Sequence, residues 1–275
     1  MNEFGPDTEP LLQKLASCGD SLDLQGYNIT SLPPLPSSLK HLYCDNTPLT
    51  HLPEFPPSLK SLNCARTQIS QFPDLPESLT SLVCHETQIS QLPPLPSSLE
   101  VLYCNSTPIT KLPDLPLTLR ALQCGDTHIT QLPHLPSSLH DLYCYGTQIT
   151  HLPPLPSSLR IFDCSHTRIR ELPALPPQLY IFSCNYTQIT EFPELPLLLN
   201  RLDSFNTPLI LQRNTNESVQ DYKTRWAIWR EERASKQRVQ ERARQIHEDL
   251  VAAAWHPKRV ARLLELGGYE LLESM

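Results

Sequence analysis

Apolar residues recur through most of the chain at fixed positions of a 20-residue unit. From Ser31 to Ile210 the unit occurs nine times without insertion, and a half unit, Ser21 to Thr30, precedes it in phase. The unit has the sequence x-L-P-x-L-P-x-S-L-x-x-L-x-C-x-x-T-x-I-T, and both of its prolines are present in all nine copies. Because one unit cannot bury its leucines alone, this repetition predicts turns that stack on one another and share a core.

Each unit divides into a strand half and a proline half. Apolar residues alternate in L-x-C, for example at Leu42 and Cys44, which indicates a half-buried strand. The L-P-x-L-P half cannot be helical, because proline fixes φ, lacks a hydrogen-bond donor and pushes the preceding residue toward extended geometry. We therefore predict a mainly β solenoid in which ten strands, at about 4.8 Å spacing, form one parallel sheet on the concave face.

The core of the unit matches a known repeat family. The segment Leu39-x-x-Leu42-x-Cys44-x-x-Thr47-x-Leu49 fits the leucine-rich-repeat consensus. With its L-P-x-L-P-x-S-L half, the unit resembles the short repeats of secreted bacterial effectors and of giant-virus leucine-rich-repeat proteins. The resemblance covers about two thirds of the chain. It implies a non-enzymatic module that binds a protein partner, either as a host-directed effector or as a scaffold.

Some effectors with similar repeats also carry a C-terminal ubiquitin-ligase domain with a nucleophilic cysteine. Here 65 residues follow Ile210 and none of them is cysteine, so we expect that domain to be missing. The sequence also contains no G-x-S-x-G, phosphate-loop, H-E-x-x-H or EF-hand motif. It thus gives no reason to expect catalysis, a cofactor or a small-molecule substrate.

Cysteine replaces the third consensus leucine in the eight interior turns. The spacing of 20 comes from the repeat itself and no C-x-x-C pair occurs, which favours small core residues over a metal or redox site. We expect these thiols to be buried and reduced, which implies a reducing compartment. The ladder cysteines are Cys44, Cys64, Cys84, Cys104, Cys124, Cys144, Cys164 and Cys184.

Threonine stands in every unit where the consensus has asparagine, as at Thr47. A hydroxyl group offers one donor, whereas an asparagine amide offers two donors and a carbonyl acceptor. We therefore expect this row of threonines to satisfy the inward-facing backbone groups less completely than asparagine would.

Charge is spread unevenly along the chain. Residues 1–212 hold 10 Lys/Arg and 19 Asp/Glu, whereas residues 213–275 hold 12 and 10. Nucleic-acid binding by the large acidic body is not expected, because phosphate contacts need a basic face. No apolar run approaches the roughly 18 residues that span a bilayer. The N-terminus lacks the basic and apolar regions of a secretory signal, so we expect a cytoplasmic protein, either in its own cell or in a host cell.

The exposed positions beside the buried Leu and Cys vary from unit to unit, while the core positions stay constant. They form rows that we expect to lie on the concave face, the surface with which solenoids characteristically bind partners. Aromatic side chains with mixed charges are typical of protein-binding surfaces, and a simply solvated sheet face is the alternative. The candidate partner-binding residues are Tyr43, Tyr103, Tyr143, Tyr145, Tyr180, Arg120, Arg160 and Asp163.

The two ends of the chain depart from the repeat. Residues 9–17 predict a short helix within an N-terminal cap, 1–20, which precedes the solenoid at 21–212. In the C-terminal segment 213–275, apolar residues at 3- and 4-residue steps predict a long helix over roughly 216–254.

A second C-terminal helix, from His256-Pro257 to Leu266, and a final turn are predicted to follow the long helix. The stretch 222–262 carries 11 Lys/Arg and 5 Asp/Glu, so the long helix is basic and amphipathic over part of its length. Three roles stay open: the helix covers the last turn of the solenoid, it lets the chain self-associate as a structural protein, or it is a separate element that binds a membrane, a calmodulin-like protein or nucleic acid. The apolar side chains nearest the last turn are Val219, Tyr222, Trp226 and Trp229.

Overall fold

The computed structural model describes residues 8–214 and 216–254, which form a helix, ten strands and a second helix in chain order. Helix α1 spans Thr8–Ser17 and helix α2 spans Val219–Ala254. Each strand is three residues long. The strands are β1 (Ser21–Asp23), β2 (His41–Tyr43), β3 (Ser61–Asn63), β4 (Ser81–Val83), β5 (Val101–Tyr103), β6 (Ala121–Gln123), β7 (Asp141–Tyr143), β8 (Ile161–Asp163), β9 (Ile181–Ser183) and β10 (Arg201–Asp203).

All ten strands of the described residues lie side by side in chain order in one parallel sheet, and the period of 20 sets their register. Leu42 of β2 pairs with Leu62 of β3, and Leu62 pairs with Leu82 of β4. The ladder of backbone bonds continues beyond each strand, since the Cys44 N–H donates to Asn63 O at 2.8 Å. The predicted mainly β solenoid with a helical C-terminal segment is confirmed.

Four apolar positions of each unit fill the core. Leu39, Leu42, Cys44 and Leu49 are fully buried, and the equivalent residues of the interior turns repeat this pattern. Burying one leucine side chain stabilises the folded state by roughly 1.5–3 kcal/mol. Because each turn buries these residues only against its neighbours, stability comes from stacking and not from any single turn.

The turn that follows each strand contains a residue in the left-handed region. Eight such residues other than glycine have φ between 51° and 57°, and Gly146 holds the same place in its unit with φ 63°. The threonine next in sequence then donates its hydroxyl proton to the carbonyl of the ladder cysteine, for example from Thr67 Oγ1 to Cys64 O at 2.7 Å. Each threonine therefore satisfies an inward-facing carbonyl of its own turn. Counting the donors of threonine and asparagine does not predict this hydrogen bond.

The proline halves of neighbouring turns are joined through a hydroxyl group. Ser58 Oγ lies 2.7 Å from both Ser37 O and Leu39 O of the preceding turn. Since a hydroxyl carries one proton, the two carbonyls share it. Gln178 and Leu198 replace this residue in the last two units, so the row of hydroxyl groups ends there. The same arrangement occurs at Ser78, Ser98, Thr118 and Ser138.

Helix α1 lies beside the first strand. Its Leu11 is fully buried, and the Lys14 ammonium group contacts both the Asp23 carbonyl and the face of the Tyr27 ring, at 4.8 Å from the ring centroid. The predicted N-terminal helix is thus present. The division into a cap, a solenoid and a C-terminal segment at residues 20 and 212 stays a prediction.

Residues from Asp221 onward belong to a second unit, distinct from residues 1–220. Helix α2 begins three residues after the predicted start at 216. Trp226 stacks on Trp229 with ring centroids 5.1 Å apart and lies 6.1 Å from the Tyr222 ring. The predicted second helix from 256 to 266 and the final turn lie outside the described residues.

Candidate functional site

Most side chains on one side of the sheet are exposed or half-buried. In β7, Leu142 is buried, whereas Asp141 and Tyr143 are half-buried on the opposite side. Tyr145, two residues further on, continues this alternation. We call this surface the sheet face: it comprises the first and third residue of each strand and the residue two positions after the strand.

The structure places the eight predicted partner-binding residues in three rows on or beside the sheet face. Four of them are the third residues of β2, β5, β7 and β8, one follows β7, and the other three immediately precede β6, β8 and β9. Only the last three and the β2 residue are exposed; the others are half-buried. The third residues of the strands are Tyr43, Tyr103, Tyr143 and Asp163, and the residue that follows β7 is Tyr145. The residues that precede β6, β8 and β9 are Arg120, Arg160 and Tyr180.

The strand register brings some of these residues together and separates others. Tyr143 pairs directly with Asp163, and Tyr103 is two strands away from Tyr143 with Gln123 between them. Tyr43, on β2, is three strands from Tyr103, or roughly 14 Å at the usual strand spacing. Tyr43 therefore lies apart from Tyr103 and Tyr143.

Tyr145 is not the freely exposed ring that alternation alone predicts. It lies against the backbone of Gly125, where an added Cβ atom would be only 2.7 Å from the ring carbons. Gly125 precedes Tyr145 by one repeat, so the absence of a side chain in the neighbouring turn lets the ring pack closely. The pairing of a glycine with a tyrosine 20 residues later is the sequence signal for this contact.

Carboxylates surround the two central rings. Burial raises the pKa of Tyr143, and the neighbouring Asp141 and Asp163 carboxylates raise it further. Burial likewise raises the pKa of Tyr145, and Asp126 and Asp163 add to the effect. Both phenols are neutral near pH 7 because their ordinary pKa is already about 10. We call Asp141, Tyr143, Tyr145 and Asp163 of the sheet face, together with Asp126 in the turn after β6, the acidic centre.

In the described part of the solenoid, the Arg and Lys side chains that form ion pairs have partners outside the acidic centre. Among the described residues, Asp126, Asp141 and Asp163 take part in none of the side-chain ion pairs within 4.0 Å. Asp163 accepts the Ser165 N–H at 2.9 Å. The Arg and Lys ion pairs of the solenoid are Lys40–Asp20, Arg66–Glu86, Arg120–Glu100 and Arg201–Asp203, at 2.8 to 3.6 Å.

Asp141 is a partly desolvated carboxylate of the acidic centre. Burial raises its pKa, while the nearby charges of His140 and Arg160 act in the opposite direction. Arg160 is itself exposed at the border of the sheet face. The free protein therefore keeps a partly desolvated carboxylate there with only border cations to compensate it.

A second aromatic group, which the sequence analysis did not include, lies at the far end of the sheet. The His166 and Tyr186 rings stack with centroids 4.4 Å apart, and Tyr186 meets Phe205 edge-on at 5.6 Å. Phe205 is 70% exposed. Aromatic residues at the same unit position, 166 and 186, are the signal that could have indicated this stack.

The ladder cysteines lie in the core behind the sheet face. All eight are free thiols and buried. Burial raises the pKa of Cys104 to about 12 and also raises the pKa of the neighbouring Cys84 and Cys124. Because the thiolate is the reactive form, these thiols are poor nucleophiles and act as core residues.

Membrane-spanning helices and metal-binding clusters are both absent from the described residues. Within residues 8–214 and 216–254, no helix has the length and apolar character needed to cross a membrane. In that same part of the chain, no group of three or more His, Cys, Asp and Glu side chains is arranged to hold a metal ion.

The repeat region resembles YopM from Yersinia enterocolitica WA-314 in sequence as well as in structure. The two chains are 31% identical with a TM-score of 0.57, over 70% of this chain and 52% of that chain. This chain thus spans about half the length of the YopM chain. The repeats and the solenoid fit a leucine-rich-repeat protein of the bacterial effector type, as the sequence predicts.

Two further solved structures share the fold. The functional domain of InlJ from Listeria monocytogenes, reported to include a cysteine ladder, is 22% identical with a TM-score of 0.62, over 74% of this chain and 56% of that chain. The leucine-rich-repeat domain of APL1B is 17% identical with a TM-score of 0.58, over 76% and 71%. At these identities the likeness concerns the solenoid alone. No protein-family model matches the sequence, and no curated protein does.

Proposed function

We propose that this protein is a protein-interaction module that binds its partner on the sheet face, which we expect to be concave. The observation that carries the proposal is the contrast between two adjacent positions of the repeat. The second residue of every strand is a buried leucine or phenylalanine, whereas the third varies among Tyr, Asn, Val, Gln, Asp and Ser. A constant core with a variable accessible row is the arrangement by which a solenoid presents a specific surface.

The composition of the middle of the sheet face supports the same proposal. Tyr103 and Tyr143 are half-buried by their neighbours and retain accessible ring area. Such rings lose little conformational entropy on binding, and tyrosine is enriched among the residues that dominate interface energetics. The exposed Arg120 and Arg160 border this surface, which gives it the polar rim that interfaces use.

The similarity to YopM supports an effector or scaffold role, which we include in the proposal. The comparison covers the repeats and about half of the YopM chain, so it bears on the binding surface and not on the rest of that protein. We propose a reducing location, the cytoplasm of its own cell or of a host. The burial of the ladder thiols in the core supports their interpretation as reduced core residues, which suit a reducing compartment.

The test of the proposal is capture of partners by the full-length chain and by a variant of the sheet face. Tyr103→Ala with Tyr143→Ala should weaken binding of each captured partner by about 30-fold or more, because one hot-spot aromatic contributes about 2 kcal/mol. Leu117→Ala is the matched control, since Leu117 is 79% exposed on the proline half. Binding is measured by surface plasmon resonance on partners identified by mass spectrometry.

Two results would count against the sheet face. Equal losses in the tyrosine variant and in Leu117→Ala would show that the effect of the tyrosines is not specific to the sheet face. Partners that the tyrosine variant retains, but that a chain lacking residues 213–275 loses, would place recognition on the basic C-terminal segment.

A second candidate function is self-association through α2, and one observation favours it. Among the described side chains of α2, Val239 and Ile246 are 67% and 51% exposed and are seven residues apart, so they lie on one face of the helix. If α2 pairs with another copy, Val239→Glu with Ile246→Glu should convert an oligomer into a monomer in sedimentation velocity. Gln237→Glu with Gln240→Glu adds the same charge at exposed polar positions and should change nothing. A wild-type chain that is monomeric at all concentrations excludes this function.

A further inference from the structure

We propose that the acidic centre of the sheet face binds a lysine- or arginine-rich segment of the partner protein. The inference rests on the proposed function, because it assumes that the partner lies on the sheet face. It adds the chemistry of the segment that is recognised: a cationic side chain placed between Asp141 and Asp163 and against the Tyr143 ring.

The strand geometry puts these three groups within reach of one cation. Tyr143 and Asp163 are direct neighbours across β7 and β8, with Cα atoms about 4.8 Å apart. Asp141 precedes Tyr143 by two residues on the same strand, about 6.6 Å away on the same side. An ammonium or guanidinium group between them can form charge-assisted hydrogen bonds with two carboxylates. It can also contact the face of an aromatic ring, which attracts cations.

The neighbouring strand carries a small side chain beside Asp141. Ala121 of β6 pairs directly with Asp141 and is only 8% exposed. The other strands carry larger or more exposed residues at this position, such as His41, Ile161 and Arg201. A methyl group at this position obstructs access to the Asp141 carboxylate less than a longer side chain would.

The ion-paired cations near the sheet face have partners outside the acidic centre, and the cations that act on Asp141 are His140 and Arg160 at its border. Lys40, Arg66 and Arg120 are each paired with a carboxylate one turn away. In the described structure, Asp141 and Asp163 are in none of these ion pairs. A cationic partner that contacts both Asp141 and Asp163 neutralises two carboxylates that have no cation within ion-pair distance in the described structure. A nucleic acid is disfavoured for the same reason, since its phosphates would meet the carboxylates.

The experiment uses the full-length protein and a dye-labelled decapeptide of alternating glycine and lysine, with fluorescence anisotropy as the readout. The wild-type chain should bind this peptide and should not bind the matched glycine–glutamate decapeptide. Asp141→Asn with Asp163→Asn should weaken binding at least tenfold. Asparagine keeps the shape of the side chain and an acceptor for the Ser165 N–H, so circular dichroism and melting should not change.

The matched control removes the same charge elsewhere. Asp74 and Asp114 are exposed on the proline halves of their units, and Asp74→Asn with Asp114→Asn should change affinity less than twofold. Equal losses in the two double variants would overturn the proposal, since net charge alone would then explain binding. Absence of any binding to the lysine peptide would also overturn it.

The partners captured on the wild-type chain separate this inference from the proposed function. If they are lost by the Tyr103 and Tyr143 variant and retained by the Asp141 and Asp163 variant, the sheet face binds partners without recognising a basic segment. In that case the proposed function stands and this inference is wrong. If both variants retain every partner, the proposed function itself fails.

Discussion

A thiol reagent added to the folded protein should modify Cys18 rapidly and leave the eight ladder cysteines unmodified. Cys18 lies at the end of α1 and is partly accessible, whereas the ladder cysteines are buried. Their labelling requires an opening of the solenoid. For a typical domain stability of about 5 kcal/mol or more, the open fraction is on the order of one in several thousand. Labelling of the ladder should therefore be slower than labelling of Cys18 by three orders of magnitude or more.

Mass spectrometry of the labelled chain gives the number of modified thiols directly. One adduct should form in native buffer, and nine in guanidinium chloride, which matches the nine cysteines of the sequence. Cys18→Ser should abolish the fast adduct and leave the slow phase unchanged. Fast native labelling of several ladder cysteines, or disulfides between neighbouring turns, would show that the ladder is not a packed and reduced core.

The regular part of the fold follows from the sequence because a constant period allows only one register between the strands of successive turns. A slip of one residue between turns would move Leu42 and Cys44 out of the core and place Tyr43 in it. Nine units without insertion repeat this constraint at every strand pair, so strand order, direction and pairing were all predictable. The core positions were predictable for the same reason.

The turn after each strand could not be predicted from residue types. Its left-handed position is held by residues as different as Asn46, Arg66 and Tyr186. Only one of the nine units has glycine there, the residue that normally indicates such a conformation. A non-glycine residue costs about 1–2 kcal/mol in this region, so the stacked turns impose the geometry and offset its cost through the neighbouring threonine hydroxyl bonds.

The sequence predicts which rows of residues form the candidate site, but it does not predict the contacts between their side chains. Alternation along a strand places Tyr103, Tyr143 and Asp163 on one side of the sheet. It gives no information on contacts between side chains of neighbouring turns. The packing of Tyr145 on Gly125 depends on such a contact, and so does the grouping of carboxylates around Tyr143. The contacts of Tyr145 with Gly125 and of Tyr143 with Asp163 join residues 20 positions apart, and a consensus repeat does not record which residues form such pairs.

Phe162→Ala should lower the free energy of unfolding by about 3–5 kcal/mol, the usual range for a buried phenylalanine. Phe162 and Phe182 replace leucine in β8 and β9, and their rings stack with centroids 5.4 Å apart and planes 6° apart. Phe182 also meets Phe192 edge-on at 6.0 Å. Truncation of Phe162 leaves a cavity against a rigid ring, which cannot move to fill the space without breaking its second contact. Urea unfolding followed by circular dichroism measures the change.

Two further substitutions distinguish this stacked core from a general effect of removing an aromatic ring. Phe205→Ala removes the same side chain at a position that is 70% exposed, so its effect should stay within about 0.5 kcal/mol. Phe162→Leu restores the residue that eight other strands have at this position, and it should cost less than the alanine variant because most of the buried volume is kept. If Phe162→Ala costs no more than Phe205→Ala, the last turns do not form part of one continuous core.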